Sequence, residues 1–179
     1  LGSLVSNGRV FLVNPSGVLF GNGAQVDVGS LLATTLNIAD GDFMSGRYVF
    51  VGDSIESVVN HGQVNAADGG FVVLAGDYVH NDGVIAAQLG QVALLAGSAM
   101  TMDLAGDGLI GYTVDQAALS ERAGVTNAGS LIADGGTVVM TADVAHELAR
   151  GAVNNSGVIR ARSIEEHDGM IVLSANDDP

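Results

Sequence analysis

The chain has no cysteine, no lysine, no tryptophan and only two prolines in 179 residues. Without cysteine there is neither a disulfide framework nor a thiolate metal site, although that absence does not fix the compartment. With no lysine, six arginines stand against 20 acidic residues, a formal net charge of −14. Such a balance argues against nucleic acid and anionic lipid as partners, and favours solubility or a partner with a basic face. No run approaches the ~20 apolar residues that cross a bilayer, so no transmembrane segment is expected. The chain begins at Leu1, with no methionine and no signal peptide, and is expected either to be a mature or truncated product or to be given without its beginning. What is abundant is glycine, 26 residues, beside 47% hydrophobic and 4% aromatic content. Regular apolar runs between glycines describe a turn-dense β protein and exclude a disordered one.

Those glycines recur in register. The stretch Val59 to Gly76, VNHGQVNAADGGFVVLAG, returns three times downstream, with Asn60, Asn81, Asn127 and Asn155 as equivalent positions. Two residues after each stands Gly62, Gly83, Gly129 or Gly157; four after stands Val64, Ile85, Leu131 or Ile159; six after stands Ala66, Ala87, Ala133 or Ala161. A later glycine (Gly69, Gly90, Gly136) and alanine (Ala75, Ala96, Ala142) complete the unit. The fourth copy keeps Gly169 and Ala175 if five extra residues separate its strands. A fixed period of this kind is the mark of a solenoid.

The first two asparagines are 21 residues apart, the length of one coil. Runs such as FVVLA and QVALLA are short and bounded by turn residues, which favours strands over helices. The pattern therefore predicts an all-β, right-handed parallel β-helix occupying residues 1–179 as a single domain, monomeric, with coils of about 21 residues. About eight such coils would make a rod about 40 Å long. In that stack each asparagine would bond its own turn and the equivalent asparagine one coil away, forming a ladder. The repeating glycines would supply positive φ at the corners.

Departures from the period predict insertions. SLLATT (30–35) reads equally as strand or helical turn, and DGDFMSGRYVF (40–50) as a projecting hairpin or loop with Ser45–Gly46 at its tip. Between Asn81 and Asn127 lie 46 residues, far more than one coil. Thr113 with Gln116 forms a capping-box pattern there, predicting a short helix that Gly124 ends. DVAHELARG predicts a helical turn or two running from Asp143 to Gly151. Leu4, Val5, Val10 and Phe11 are expected to border an uncapped, weakly protected first coil.

Chemistry-bearing motifs are weak. Gly106 to Gly111 spells G-x-G-x-x-G, but Tyr112–Val114 is strand-like where a dinucleotide site needs a helix to begin. His146–Glu147 opens like a zinc motif, yet Arg150 stands where the second histidine belongs. His61, His80 and His167 lie beside turn residues, and the first two do not fall at one ladder position. Asp40, Asp42, Asp53, Glu165, Glu166 and Asp168 are the carboxylates a sugar-cleaving β-helix would draw on, but they are not at coil spacing. No metal, no cofactor and no enzymatic activity is expected.

The string from Val10 to Ile38, VFLVNPSGVLFGNGAQVDVGSLLATTLNI, resembles the conserved block of the two-partner secretion domain found in filamentous haemagglutinin-like exoproteins. DFMSGRYVF, the VVNHGQV coils and GDGLIGYTVDQAA are similar to later parts of that domain, so the likeness runs from about Gly8 to Ala175. Ser16 stands where the family more often has asparagine, and the family's upstream cap and earlier Asn-Pro motif are missing. The resemblance implies a secretion and folding module of a large Gram-negative exoprotein, reaching the cell surface through the periplasm. It implies recognition by the POTRA domains of a dedicated outer-membrane transporter, export in extended form, and nucleation of a β-helix that continues into further repeats. It points to the turn Asn14, Pro15, Ser16, Gly17 and Val18 as the motif on which transport depends. Two alternatives remain: an adhesive rod that binds a host receptor or glycan directly, and a polysaccharide-cleaving β-helix.

Overall fold

The computed structural model describes residues 2–104, 111–118, 120, 122–145, 151–163 and 169–178. Aliphatic and β-branched runs between glycine corners form short strands, and these wind into stacked coils. The first coil holds β1 (Ser3–Val5), β2 (Arg9–Val13) and β3 (Val18–Phe20). The second starts with β4 (Gln25–Val28) and β5 (Ser30–Thr34). It then leaves the stack through β6 (Asn37–Ile38), α1 (Asp40–Met44) and β7 (Tyr48–Val51), and β8 (Ser57–Asn60) closes it. The third is uninterrupted: β9 (Gln63–Ala66), β10 (Phe71–Gly76) and β11 (Tyr78–Asn81). The fourth, β12 (Val84–Ala87) and β13 (Gln91–Ala96), leaves through β14 (Ala99–Asp103) and β15 (Gly111–Gln116) and returns as β16 (Gly124–Asn127). The fifth is β17 (Ser130–Ile132), β18 (Thr137–Ala145) and β19 (Val153–Asn155); the sixth is β20 (Val158–Arg160) and β21 (Met170–Asp178).

Equivalent strands pair in parallel into three faces: β1-β4-β9-β12-β17-β20, β2-β5-β10-β13-β18-β21, and β3-β8-β11-β16-β19. This is a parallel β-helix. It has six layers, a stack of about 24 Å at the usual strand spacing, and not the eight coils expected from dividing length by period. Most of the shortfall comes from β6, α1, β7, β14 and β15, which lie outside the stack, and the rest from longer connections in the last two coils. The four strands among them form a separate antiparallel sheet in the order β6-β7-β14-β15.

That outer sheet explains a burial pattern that alternation alone does not predict. Every residue of β5, β10 and β13 is buried. One set of side chains, Leu31, Ala33, Val72, Leu74, Val92, Leu94, Val138 and Met140, fills the interior of the coils. The alternate set, Leu32, Val73, Ala75, Ala93 and Leu95, packs outward against Leu36, Phe50, Met100 and Met102 of the antiparallel sheet and its approaches. A sheet covered on both faces reads as a continuous apolar run for this reason. Each fully buried Leu or Val contributes about 1.5–3 kcal/mol. Tyr112 on β15 packs against the same outer core, and burial pushes its phenol above the ordinary range.

Two open readings are resolved and two expectations change. SLLATT is strand through Thr34. The projecting segment 40–50 is a hairpin of β6 and β7, but a short helix, α1, fills its bend before Gly46 at φ +75°. Thr113 and Gln116 cap no helix: both lie in β15, paired antiparallel to β14, because Val114 and Tyr112 are needed over the outer core. Asp143 to Ala145 extend β18 against Asn176 to Asp178 and do not start a helix; residues 146–150 of that expectation, with the His146 motif, lie outside the described residues.

The first coil is less open than its composition suggests. Val5 is exposed and Leu4 half-buried, but the Phe11 ring stacks on Tyr48 at 5.4 Å and meets Phe43 edge-on at 5.4 Å. Residues of α1 and β7 thus shield the outward face of β2.

Candidate functional site

The turn after β2 is built by one side chain using both ends of its amide. Asn14 Oδ1 accepts from the Ser16 N–H at 3.2 Å, and Asn14 Nδ2 donates to the Gly17 carbonyl at 2.9 Å. The Gly17 N–H closes the turn on the Asn14 carbonyl at 3.0 Å, with Gly17 at φ +95°. The Pro15 ring presets φ at about −65° at the second turn position, while Val18 drops into the core. Asn14, Pro15 and Ser16 are exposed, so the turn is rigid and outward-facing. Ser16 contributes its backbone N–H to these bonds, so they do not depend on which side chain stands there.

A clamp not apparent in the sequence holds this turn to the next coil. Ser54 Oγ donates to the Pro15 carbonyl at 2.6 Å and accepts from the Glu56 N–H at 3.2 Å. Ser-x-Glu is a local turn signal, but nothing in it announces a partner 39 residues upstream.

The ladder runs along one corner. Asn60 Nδ2 donates to Asn81 Oδ1 at 2.8 Å, Asn81 Nδ2 to Asn127 Oδ1 at 2.7 Å, and Asn127 Nδ2 to Asn155 Oδ1 at 2.7 Å. Asn60 also receives the Gly62 N–H at 3.0 Å. Asn60, Asn81 and Asn127 are fully buried, so each bond satisfies groups that water cannot reach. Phe20 occupies the matching position in the first coil, opposite Asn60, and the ladder starts one coil later.

The glycines beside the ladder serve a different purpose from the one expected. Gly62, Gly83, Gly129 and Gly157 do not have positive φ. They are needed for space: a Cβ on Gly83 would collide with the Gly62 carbonyl, on Gly129 with that of Gly83, and on Gly157 with that of Gly129. The second glycine series is displaced by one residue from the sequence alignment. Phe71 pairs with Gln91, so Gly70 and not Gly69 is the neighbour of Gly90. Ala75 accordingly pairs with Leu95 and turns outward, while Gly76 takes the place opposite Ala96. The slip arises because the corner before β10 has one more residue than the corner before β13, with Gly69 at φ +75°. A shift of one residue exchanges the faces of a strand.

Polar groups elsewhere are structural. Arg160 pairs with Asp134 at 2.8 Å and the Arg162 N–H bonds the same carboxylate at 3.1 Å. Burial alone would raise the Asp134 pKa; these bonds and charges outweigh it and hold the carboxyl below its ordinary value. His61 faces Asp82 at 3.3 Å, and its ring meets that of His80 edge-on at 6.1 Å, although the two lie at different ladder positions. Asp40 and Asp42 sit in the first turn of α1 and Asp53 in the returning loop; Glu165, Glu166, His167 and Asp168 lie outside the described residues. Among the described residues no group of three His, Asp or Glu is placed to hold a metal ion.

Comparison with known proteins follows the same outline. Residues 1–178 match the family described as TPS secretion domain. A heme/hemopexin-binding protein of Haemophilus influenzae is 34% identical over 186 residues, which cover 98% of this chain and 20% of the relative. A second protein of that description from the same species is 31% identical, over 98% of this chain and 21% of the relative. The crystal structure of the HMW1 secretion domain from Haemophilus influenzae superposes with a TM-score of 0.75 at 29% identity, covering 92% of this chain and 42% of that one. The chain thus spans about a fifth of the curated relatives it matches.

Proposed function

The chain belongs to the TPS secretion domain family, and from that membership we propose how this secretion and folding module of a large exoprotein is handled. The POTRA domains of a dedicated outer-membrane transporter recognise it in the periplasm. The chain then crosses in extended form and folds outside, where each coil templates the next. The Asn14–Val18 turn is the recognition element, and the remaining coils supply the free energy that makes export directional.

One observation carries the templating part of this reading. The nine-residue strand β21 pairs along its whole length with β18, and it is the last strand of its sheet. Met170, Ile171, Val172 and Leu173 are all exposed along it. Full-length, in-register pairing of one coil's strand on the strand before it is what templating of one coil by another requires. The family is one of secretion and not of catalysis, and the relatives' heme and hemopexin belong to proteins of which this chain matches only a fifth.

The test is export of a reporter. Fused behind this chain, a reporter repeat should reach the medium only when the cognate transporter is present. Export that is indifferent either to the transporter or to deletion of the chain would remove the proposal.

A further inference from the structure

The sequence holds two Asn-Gly pairs, Asn7–Gly8 and Asn22–Gly23, and the fold treats them differently. In the later coils the corner beside the ladder is tight. It runs from Asn60 to Gln63, from Asn81 to Val84, from Asn127 to Ser130 and from Asn155 to Val158, three steps each time. Phe20 pairs with Asn60 and Gln25 with Gln63, so the first coil takes five steps over the same corner. The surplus is Asn22–Gly23. The turn closes beneath this pair, with the Ala24 N–H on the Gly21 carbonyl at 2.9 Å. The next coil packs on the residues either side of it: a Cβ on Gly62 would come within 2.6 Å of the Ala24 carbonyl oxygen and 3.0 Å of that of Gly21. Asn22 and Gly23 are exposed, Gly23 at φ +79° with open space beside it. Among the described residues no hydrogen bond holds the Gly23 N–H or the Asn22 amide.

Asn7–Gly8 has the same chemistry without this freedom. The Gly8 N–H donates to Ser6 Oγ at 3.1 Å, and the Gly8 carbonyl accepts from the Ser30 N–H at 3.3 Å. The Asn7 carbonyl lies against Gly29, where a Cβ would come within 2.7 Å of it.

We propose that Asn22 is a site of spontaneous deamidation in the folded chain and that Asn7 is protected from it. The Gly23 nitrogen attacks Asn22 Cγ and gives its proton to water, and the side-chain nitrogen leaves as ammonia. Water then adds to either carbonyl of the resulting five-membered succinimide. Opening one C–N bond leaves aspartate; opening the other leaves isoaspartate, whose backbone runs through the side-chain methylene. Each product carries one new negative charge. Glycine permits the first step because no side chain shields its nitrogen and the peptide can turn toward Cγ. At Asn7 the same step must break the bond to Ser6 and rotate a peptide wedged against Gly29. The ladder does not compete: Asn60, Asn81 and Asn127 are buried with their amides bonded from coil to coil. Asn14 precedes proline, which has no N–H to lose. Since the Asn22 bulge lies outside the contacts between coils, its products should leave the stack intact. None of this depends on the export route.

The experiment incubates the 179-residue chain in neutral and mildly alkaline buffer and maps it by mass spectrometry. Trypsin cuts after Arg9 and Arg47, so the two asparagines fall in different peptides. The Asn22 peptide should gain about one dalton and resolve into aspartate and isoaspartate forms. It should do so about tenfold faster than the Asn7 peptide, roughly the factor that one hydrogen bond commands. In urea the two rates should converge, which separates the fold from the dipeptide. Thermal unfolding should be unchanged once Asn22 has converted. Ser6→Ala should raise the Asn7 rate and leave that of Asn22 alone; an Asn7 that stays as slow would overturn the protection assigned to that bond. Equal rates in the folded chain, an Asn7 faster than Asn22, or an Asn22 that reacts only in urea would each overturn the proposal.

Discussion

Leu94 and Leu95 are neighbours on one strand and both are buried, yet different structures bury them. Leu94 points into the coils, among residues that repeat from layer to layer; Leu95 points out, beneath an antiparallel sheet that belongs to no repeat. The inner core is periodic because each layer must present the same shape to the next. The outer core is built once, from two excursions that meet over three buried strands. Periodicity therefore marks where the chain contacts copies of itself, and its loss marks where one sheet covers another.

The comparison breaks hardest at the backbone. Gly83→Ala drives a methyl into the Gly62 carbonyl and should cost about 4 kcal/mol or more, or prevent stacking altogether. Gly46→Ala, in the excursion, meets nothing within 4 Å and should cost only the ~1–2 kcal/mol of a left-handed backbone. Urea midpoints for the two variants give the contrast directly, and equal shifts would show that the two regions are not differently constrained.

Side chains should separate the cores less sharply. Leu94→Ala leaves a void among stacked layers that cannot close, for about 3–4 kcal/mol, and Leu95→Ala about 2–3 kcal/mol, because the covering sheet can settle onto it. A larger loss at Leu95 would mean that the outer sheet is the more rigid element.

The ladder comes next. Asn81→Leu strands the Nδ2 of Asn60 and the Oδ1 of Asn127, both buried, for about 2–3 kcal/mol by denaturant unfolding. No measurable loss would mean that water or a shifted turn replaces the bonds.

The smallest effect should be a gain. Leu89 sits at φ +55° where its counterparts before Gly70 and Gly136 are Gly69 and Gly135, so Leu89→Gly should stabilise by about 0.5–1 kcal/mol. Destabilisation would show that its half-exposed side chain matters more than its backbone.

These contrasts also separate what could be read from the residues alone. Asn60, Asn81, Asn127 and Asn155 mark the corner because a buried amide must bond its copy above and below, and that need is written at one position per coil. The coil count failed because β6, β7, β14 and β15 look like any other short strands; only tertiary pairing takes them out of the stack. The slip at Ala75 was invisible because one extra corner residue leaves the composition of FVVLAG unchanged while exchanging its faces. The Asn14 turn was legible as a turn, since Asn-Pro-x-Gly sets its own geometry. Its clamp to Ser54 was not, because it joins segments that only stacking brings together.

The Asn14 turn is proposed to serve export beyond its part in the fold. Asn14→Ala removes two hydrogen bonds from an exposed turn and should cost about 1–2 kcal/mol. The decisive measurement pairs denaturant unfolding of the purified chain with secreted yield beside the cognate transporter, for Asn14→Ala and for Leu89→Pro and Gly46→Ala as turn changes elsewhere. Yield for Asn14→Ala should fall well below the line that relates yield to stability in the other variants. If all the variants lie on one line, the turn is a corner of the β-helix and nothing more.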